Sequence, residues 1–174
     1  MTSAVPAAPL AAFVVALAVE RVAELGLSAR HERALRAAGA VEYGAGHFPV
    51  FVALHVAFPL LLVAEVFALG ARPPATWPLW LGVALAGAAL RVASMRALGE
   101  RWTARVWVPP GATPIRTGIY RWLSHPSYVA VTLELLGAPL MFGAWRTALV
   151  AGAWNALALA LRIPCEERAL GERG

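Results

Sequence analysis

Residues 48–69 read FPVFVALHVAFPLLLVAEVFAL. Only His55, Pro59 and Glu65 interrupt this apolar run. An α-helix needs roughly 20 apolar residues to cross the hydrocarbon core of a bilayer. The stretch therefore predicts a transmembrane helix, and further apolar runs flank it. About Pro6–Leu27 precedes it, with Glu20, Arg21 and Glu24 in its second half. Trp77–Leu98 follows, with Arg91 and Arg96 near its end. Ser127–Ile163 is long enough for two short helices, with a hairpin at Gly143–Arg146. The expected fold is all-α: a polytopic integral membrane helical bundle of about five transmembrane helices, one domain over residues 1–174.

Composition supports this. Hydrophobic residues make up 60% of the 174 and charged residues 14%, against about 25% charged in soluble domains. That excludes a disordered chain and a domain with a fully wetted surface. All basic residues are Arg and all acidic ones Glu, for a net charge of +5. The arginines form no long stripe with interleaved aromatics, so the charge does not point to nucleic acid. A single cysteine, Cys165, excludes an intramolecular disulfide and a cysteine-based zinc site; no metal site is expected. The N-terminus lacks the basic stretch of a cleavable signal peptide.

The arginines write a topology. The segments Ser28–Gly46 and Gly99–Pro126 and the tail Pro164–Gly174 hold Arg30, Arg33 and Arg36, then Arg101, Arg105, Arg116 and Arg121, then Arg168 and Arg173. The two turns on the other side hold only Arg72 and Arg146. Positive charge collects in the cytoplasm, which predicts N-out, C-in orientation in the bacterial cytoplasmic membrane. Trp77, Trp80, Trp122 and Trp145 fall near predicted span ends, where indoles prefer the headgroup level.

Chemistry is expected on the cytoplasmic side. The stretch Gly99–Pro126 is too long to be only a connection, and its Trp, Tyr, His and Pro content argues against disorder. His125-Pro126 opens the fourth span, with proline at a favoured first helical position. The dipole at that helix start favours a neutral imidazole. Tyr128 shares the helix face with His125. The pair reads either as an interfacial anchor or as a ligand contact. Glu166-Glu167 follow the fifth span, with Arg162 one helical turn before Glu166 and Pro164 between them, placed to bend the helix. They read as a solvated tail or as a carboxylate for a cofactor, with Arg162 a clamp on an acceptor. Glu20, Arg21, Glu24, Glu65, Arg91 and Glu134 are ionisable groups inside spans, functional or mutually paired. Arg91 has Glu134 and Glu65 as candidate partners, and His55 caps a backbone break near Pro59 or touches a ligand. There is no G-x-G-x-x-G, Walker A loop or H-E-x-x-H.

Gly118-Ile119-Tyr120, then His125-Pro126-Ser127-Tyr128, a helical hairpin, and Arg162 with Glu166-Glu167 and Leu170 together resemble the isoprenylcysteine carboxyl methyltransferase family. That match covers about Leu98–Leu170. Arg30-His31-Glu32-Arg33, Gly39–Gly44, His47-Phe48-Pro49, Leu54-His55, Glu134–Leu136, Pro139 and Asn155 are similar to a bacterial branch of it. Members of that branch are associated with type III polyketide synthases and O-methylate alkylpyrones or alkylresorcinols.

The resemblance implies a membrane enzyme using S-adenosyl-L-methionine, with a cofactor-binding core at about 98–170. Ile115, Tyr120, His125, Pro126, Tyr128, Glu166 and Glu167 would hold the cofactor, and Arg162 and His125 would serve the reaction. The implied acceptor is a lipophilic polyketide hydroxyl, reached from the bilayer, with a functional link to a type III polyketide synthase. Family members usually carry Arg where this chain has Ser124. The alternatives are carboxyl methylation of a prenylcysteine-like substrate, N-methylation of a phospholipid, and a non-catalytic assembly partner in a lipid-synthesis complex.

Overall fold

The computed structural model describes residues 7–171; Pro6 and Arg173, which the sequence assigned to the first span and the cytoplasmic tail, lie outside them. Five α-helices make up most of the chain: α1 (Ala7–Ala37), α2 (Phe48–Ala68), α3 (Trp77–Leu98), α4 (Pro126–Met141) and α5 (Trp145–Gly171). This is the expected helical bundle, and two three-residue strands accompany it. β1 (Val41–Tyr43) and β2 (Val106–Val108) pair antiparallel, with Glu42 opposite Trp107.

Among the described residues, three helical segments are long and apolar enough to cross a membrane: Ala45–Ala68, Trp77–Arg101 and Trp145–Gly171. The other two expected spans differ for separate reasons. α4 is apolar but has only 16 residues, while α1 carries Glu20, Arg21 and Glu24 in its middle. The helices turn apolar side chains outward: Val22, Leu60, Leu79, Leu149 and Leu157 are all exposed. Glu65, Arg91, Asn155 and Arg162 are buried. An apolar exterior around polar interior groups suits hydrocarbon as the surrounding medium.

α3 and α4 pack closest. A Cβ added at Gly137 would lie 2.6 Å from Ala84 N, and one at Gly87 would lie 2.9 Å from Ala130 O. Small residues let two backbones approach in this way where no hydrophobic drive joins helices in lipid. Beside this contact, Glu134 of α4 receives Arg91 of α3, through Nε at 2.8 Å and through its terminal nitrogen, and Arg21 of α1 at 2.8 Å. Arg21 and Arg91 also reach Glu24. Glu134 is thus the partner of Arg91. Glu65 instead accepts Arg146 N at 3.0 Å and Thr147 N at 2.6 Å, capping the start of α5.

The opposite end gathers the polar segments on one face. α1 runs ten residues past Leu27, to Ala37, so much of the first polar segment is helical. Ser28 accepts Ala104 N at 2.8 Å, and β1 meets β2. Val106, Val108 and Ala112 pack on Ala169 near the end of α5. α5 continues through Pro164 without a break. The two long polar segments and the C-terminal turns therefore form one cap.

Candidate functional site

The cap encloses a cavity of about 190 Å³ between the segment 98–128 and the end of α5. His125 takes the N-cap position of α4, as the His-Pro pair predicts, with Pro126 in the first turn. The backbone carbonyl of His125 accepts the amides of Tyr128 and Val129. Its ring stacks on Tyr128, centroids 5.4 Å apart, and lies 3.1 Å from Glu167 Oε1 through Nε2. A carboxylate only accepts, so Nε2 bears the proton and, in the neutral ring, Nδ1 is the basic atom.

Arg162 and Glu166 do not touch as i,i+4 partners. Tyr128 joins them: its hydroxyl donates to Glu166 Oε2 and accepts from Arg162 Nε at 3.1 Å. Arg162 also donates to Ala104 O at 2.7 Å and lies over the Phe51 ring. It is buried, so its charge is held by this ring of contacts. Tyr120 lies 3.4 Å from Ser127 Oγ. Burial pushes the Tyr120 phenol above its ordinary range and the Glu166 charge adds to this, so it stays protonated at neutral pH.

Ile115, Tyr120, His125, Tyr128, Arg162 and Glu166 line this cavity. Pro126 and Glu167, grouped with them on sequence, do not. Pro126 is fully buried at the helix start, and Glu167 is exposed beyond His125. Arg101, Trp102 and Trp107 also line it; sequence reasoning passes over them, because an aromatic beside an arginine looks the same at any membrane interface.

A second, larger cavity of about 500 Å³ lies on the bilayer side, among α1, α2, α4 and α5. Its walls are mostly apolar, with Leu17, Val22, Phe51, Val56 and Leu60, but also hold Arg21, Glu24, His55, Arg91 and Asn155. Trp102, Thr103, Ser127, Tyr128 and Arg162 line both cavities. The Tyr128–Arg162 pair thus stands in their common wall.

The cap-side cavity is the more polar of the two, and it shares one wall with the larger, mostly apolar cavity. Residues 80–172 match the isoprenylcysteine carboxyl methyltransferase (ICMT) family. The chain belongs to that family, which points to membrane-embedded methyl transfer with S-adenosylmethionine as the usual donor. It is 35% identical over 159 residues to the uncharacterized protein YpbQ of Bacillus subtilis (strain 168), covering 90% of this chain and 93% of that one. It is also 31% identical over 151 residues to an uncharacterized protein of Haemophilus influenzae, covering 86% and 88%. No solved structure matches the chain.

Proposed function

We propose that the chain transfers a methyl group from S-adenosyl-L-methionine to an oxygen of a lipophilic acceptor at the membrane–cytoplasm boundary, most directly a polyketide-derived alkylpyrone or alkylresorcinol hydroxyl. The observation that carries this reading is the common wall of Tyr128 and Arg162 between the two cavities.

The smaller cavity suits the cofactor's chemistry. Glu166 offers a carboxylate for an ammonium, Arg101 offers a cation for a carboxylate, and Tyr120 and Ile115 offer surface for a purine. The cofactor supplies an electrophilic methyl on a sulfonium whose departure leaves a neutral thioether.

The protein's own part is positioning and exclusion of water. Tyr128 donates to Glu166 and so keeps that carboxylate turned into the cofactor side. Arg162, fixed by Tyr128 and Ala104 O, faces the acceptor side and stabilises an oxyanion there. An enolic pyrone ionises near neutral pH and needs little base. A resorcinol hydroxyl, with a pKa of about 10 like tyrosine, needs one, such as His125 or a glutamate. The apolar larger cavity gives a long-tailed acceptor a route from the bilayer. A link to a type III polyketide synthase would supply such an acceptor.

The test is labelled S-adenosylmethionine given to purified protein in detergent with an alkylpyrone, an alkylresorcinol, a prenylcysteine analogue or phosphatidylethanolamine. Label in the first two is expected. Label only in the third or fourth replaces the acceptor. Neither cofactor binding nor turnover would leave the non-catalytic assembly role.

A further inference from the structure

The wall between the two cavities includes a strip of backbone, Trp102-Thr103-Ala104, that belongs to no helix or strand. Trp102 and Thr103 line both cavities, and Ala104 lines the larger. Irregular backbone in such a place needs other groups to take its polar atoms. α5 takes one of them, since Arg162 donates to Ala104 O at 2.7 Å. α1 takes two more. Ser28 Oγ accepts Ala104 N at 2.8 Å and donates to Glu32 Oε1 at 2.7 Å. A carboxylate only accepts, so the hydroxyl proton is committed to Glu32 and a lone pair is turned to the amide. His31 Nδ1 lies 2.7 Å from Trp102 O. A carbonyl also only accepts, so Nδ1 carries the proton and His31 is the donor.

Ser28, His31 and Glu32 are spaced i, i+3 and i+4 and so share one face of α1. Ala104 stands between that face and the cation: Ser28 holds its N–H, and its carbonyl holds Arg162. Ser28 is 1% exposed, so removing its hydroxyl leaves the Ala104 amide short of a partner, a costly state away from water. The residues given to the cofactor are tied elsewhere, Glu166 to Tyr128 and Tyr120 to Ser127. Loosening the strip should therefore disturb the Arg162 side more than the cofactor side. Ser28 and His31 also lie outside residues 80–172, which match the family, so that match gives them no role.

We infer that Ser28 and His31 are positioning residues for methyl transfer: they fix the strip 102–104 and, through Ala104 O, hold Arg162 in place for the acceptor. This rests on the proposed reading in which Arg162 serves the acceptor. The test compares wild type, Ser28→Ala, His31→Leu and His31→Asn as full-length protein in detergent. The acceptor is whichever of the four named above the wild type methylates fastest. Calorimetry with S-adenosylmethionine counts the binding sites, and turnover is expressed per site, so partial loss of folded protein cancels. Ser28→Ala and His31→Leu are each expected to lower kcat per site about tenfold, the worth of one buried hydrogen bond, with the cofactor Kd near that of the wild type. His31→Asn, which offers an amide N–H close to where Nδ1 stood, is expected to restore most of the loss; a role in packing alone would not single out the donor. If Ser28→Ala does not fold, the two His31 variants decide. An active wild type with unchanged kcat per site in Ser28→Ala and His31→Leu would overturn the inference alone. So would an equal loss in His31→Leu and His31→Asn, or a cofactor Kd weakened as far as kcat. A wild type that methylates none of the four would overturn the proposed function and this inference with it.

Discussion

Arg162 Nε donates to the Tyr128 hydroxyl at 3.1 Å, while that hydroxyl donates to Glu166. One phenol therefore ties a cation in the wall shared by both cavities to a carboxylate of the cap-side cavity. Tyr128→Phe keeps the ring and its stack on His125 but cuts both ties. A charge-assisted hydrogen bond of about 1.5–3 kcal/mol corresponds to a fall in methyl-transfer kcat of roughly 10–100-fold. The variant's unfolding temperature in detergent should fall as well, because buried Arg162 loses one of its partners, so turnover is compared below the unfolding range of both proteins.

Glu134 accepts two arginines from two other helices. Glu134→Leu leaves Arg21 and Arg91 to share Glu24 as their remaining carboxylate in the bundle interior. Removing one partner of a buried pair costs about 3–5 kcal/mol, so thermal unfolding in detergent should shift down strongly. Arg91→Leu, which leaves Arg21 to pair with Glu134, should shift it less.

Glu65 serves α5 alone in this way, through the amides of Arg146 and Thr147 and the Thr147 hydroxyl. Glu65→Ala should cost about 1–2 kcal/mol, as for other lost N-caps. Because the cap lies at the far end of the bundle from Arg162, KM for the cofactor should not change below the unfolding range.

The arginine count predicts which face is cytoplasmic. A C-terminal alkaline phosphatase fusion should be inactive and one inserted at the turn holding Arg72 active. The reverse pattern would invert the orientation, leaving the shared face of loops and tail intact.

Much of this arrangement is legible in the sequence, for physical reasons. α2 and α3 follow from unbroken apolar runs, and His125 at the start of α4 follows from the proline after it. α1 extends past Leu27 because Arg30, Arg33 and Arg36 are good helix formers, which hydropathy alone does not register. Pro164 lies within α5 although a proline there would be expected to bend or end the helix. The β1–β2 pair leaves no trace, since three residues are too few to show a period of two. Composition offers Arg91 both Glu134 and Glu65 as partners; only the packing of α3 on α4 decides. The grouping of Tyr128, Arg162 and Glu166 is readable, but not that a phenol stands between the charges. The Asn155–Thr132–Tyr128 hydrogen-bond chain has no sequence signal, because it depends on how α5 packs on α4.

The most direct measurement compares cofactor binding with turnover in two variants. Calorimetry with S-adenosylmethionine and a labelled-methyl assay are run on the wild type, Glu166→Ala and Arg162→Ala. Glu166→Ala is expected to abolish cofactor binding. Arg162→Ala is expected to retain measurable binding and lose acceptor turnover, as two cavities meeting at one wall require. Wild-type binding and turnover in both variants would contradict the account.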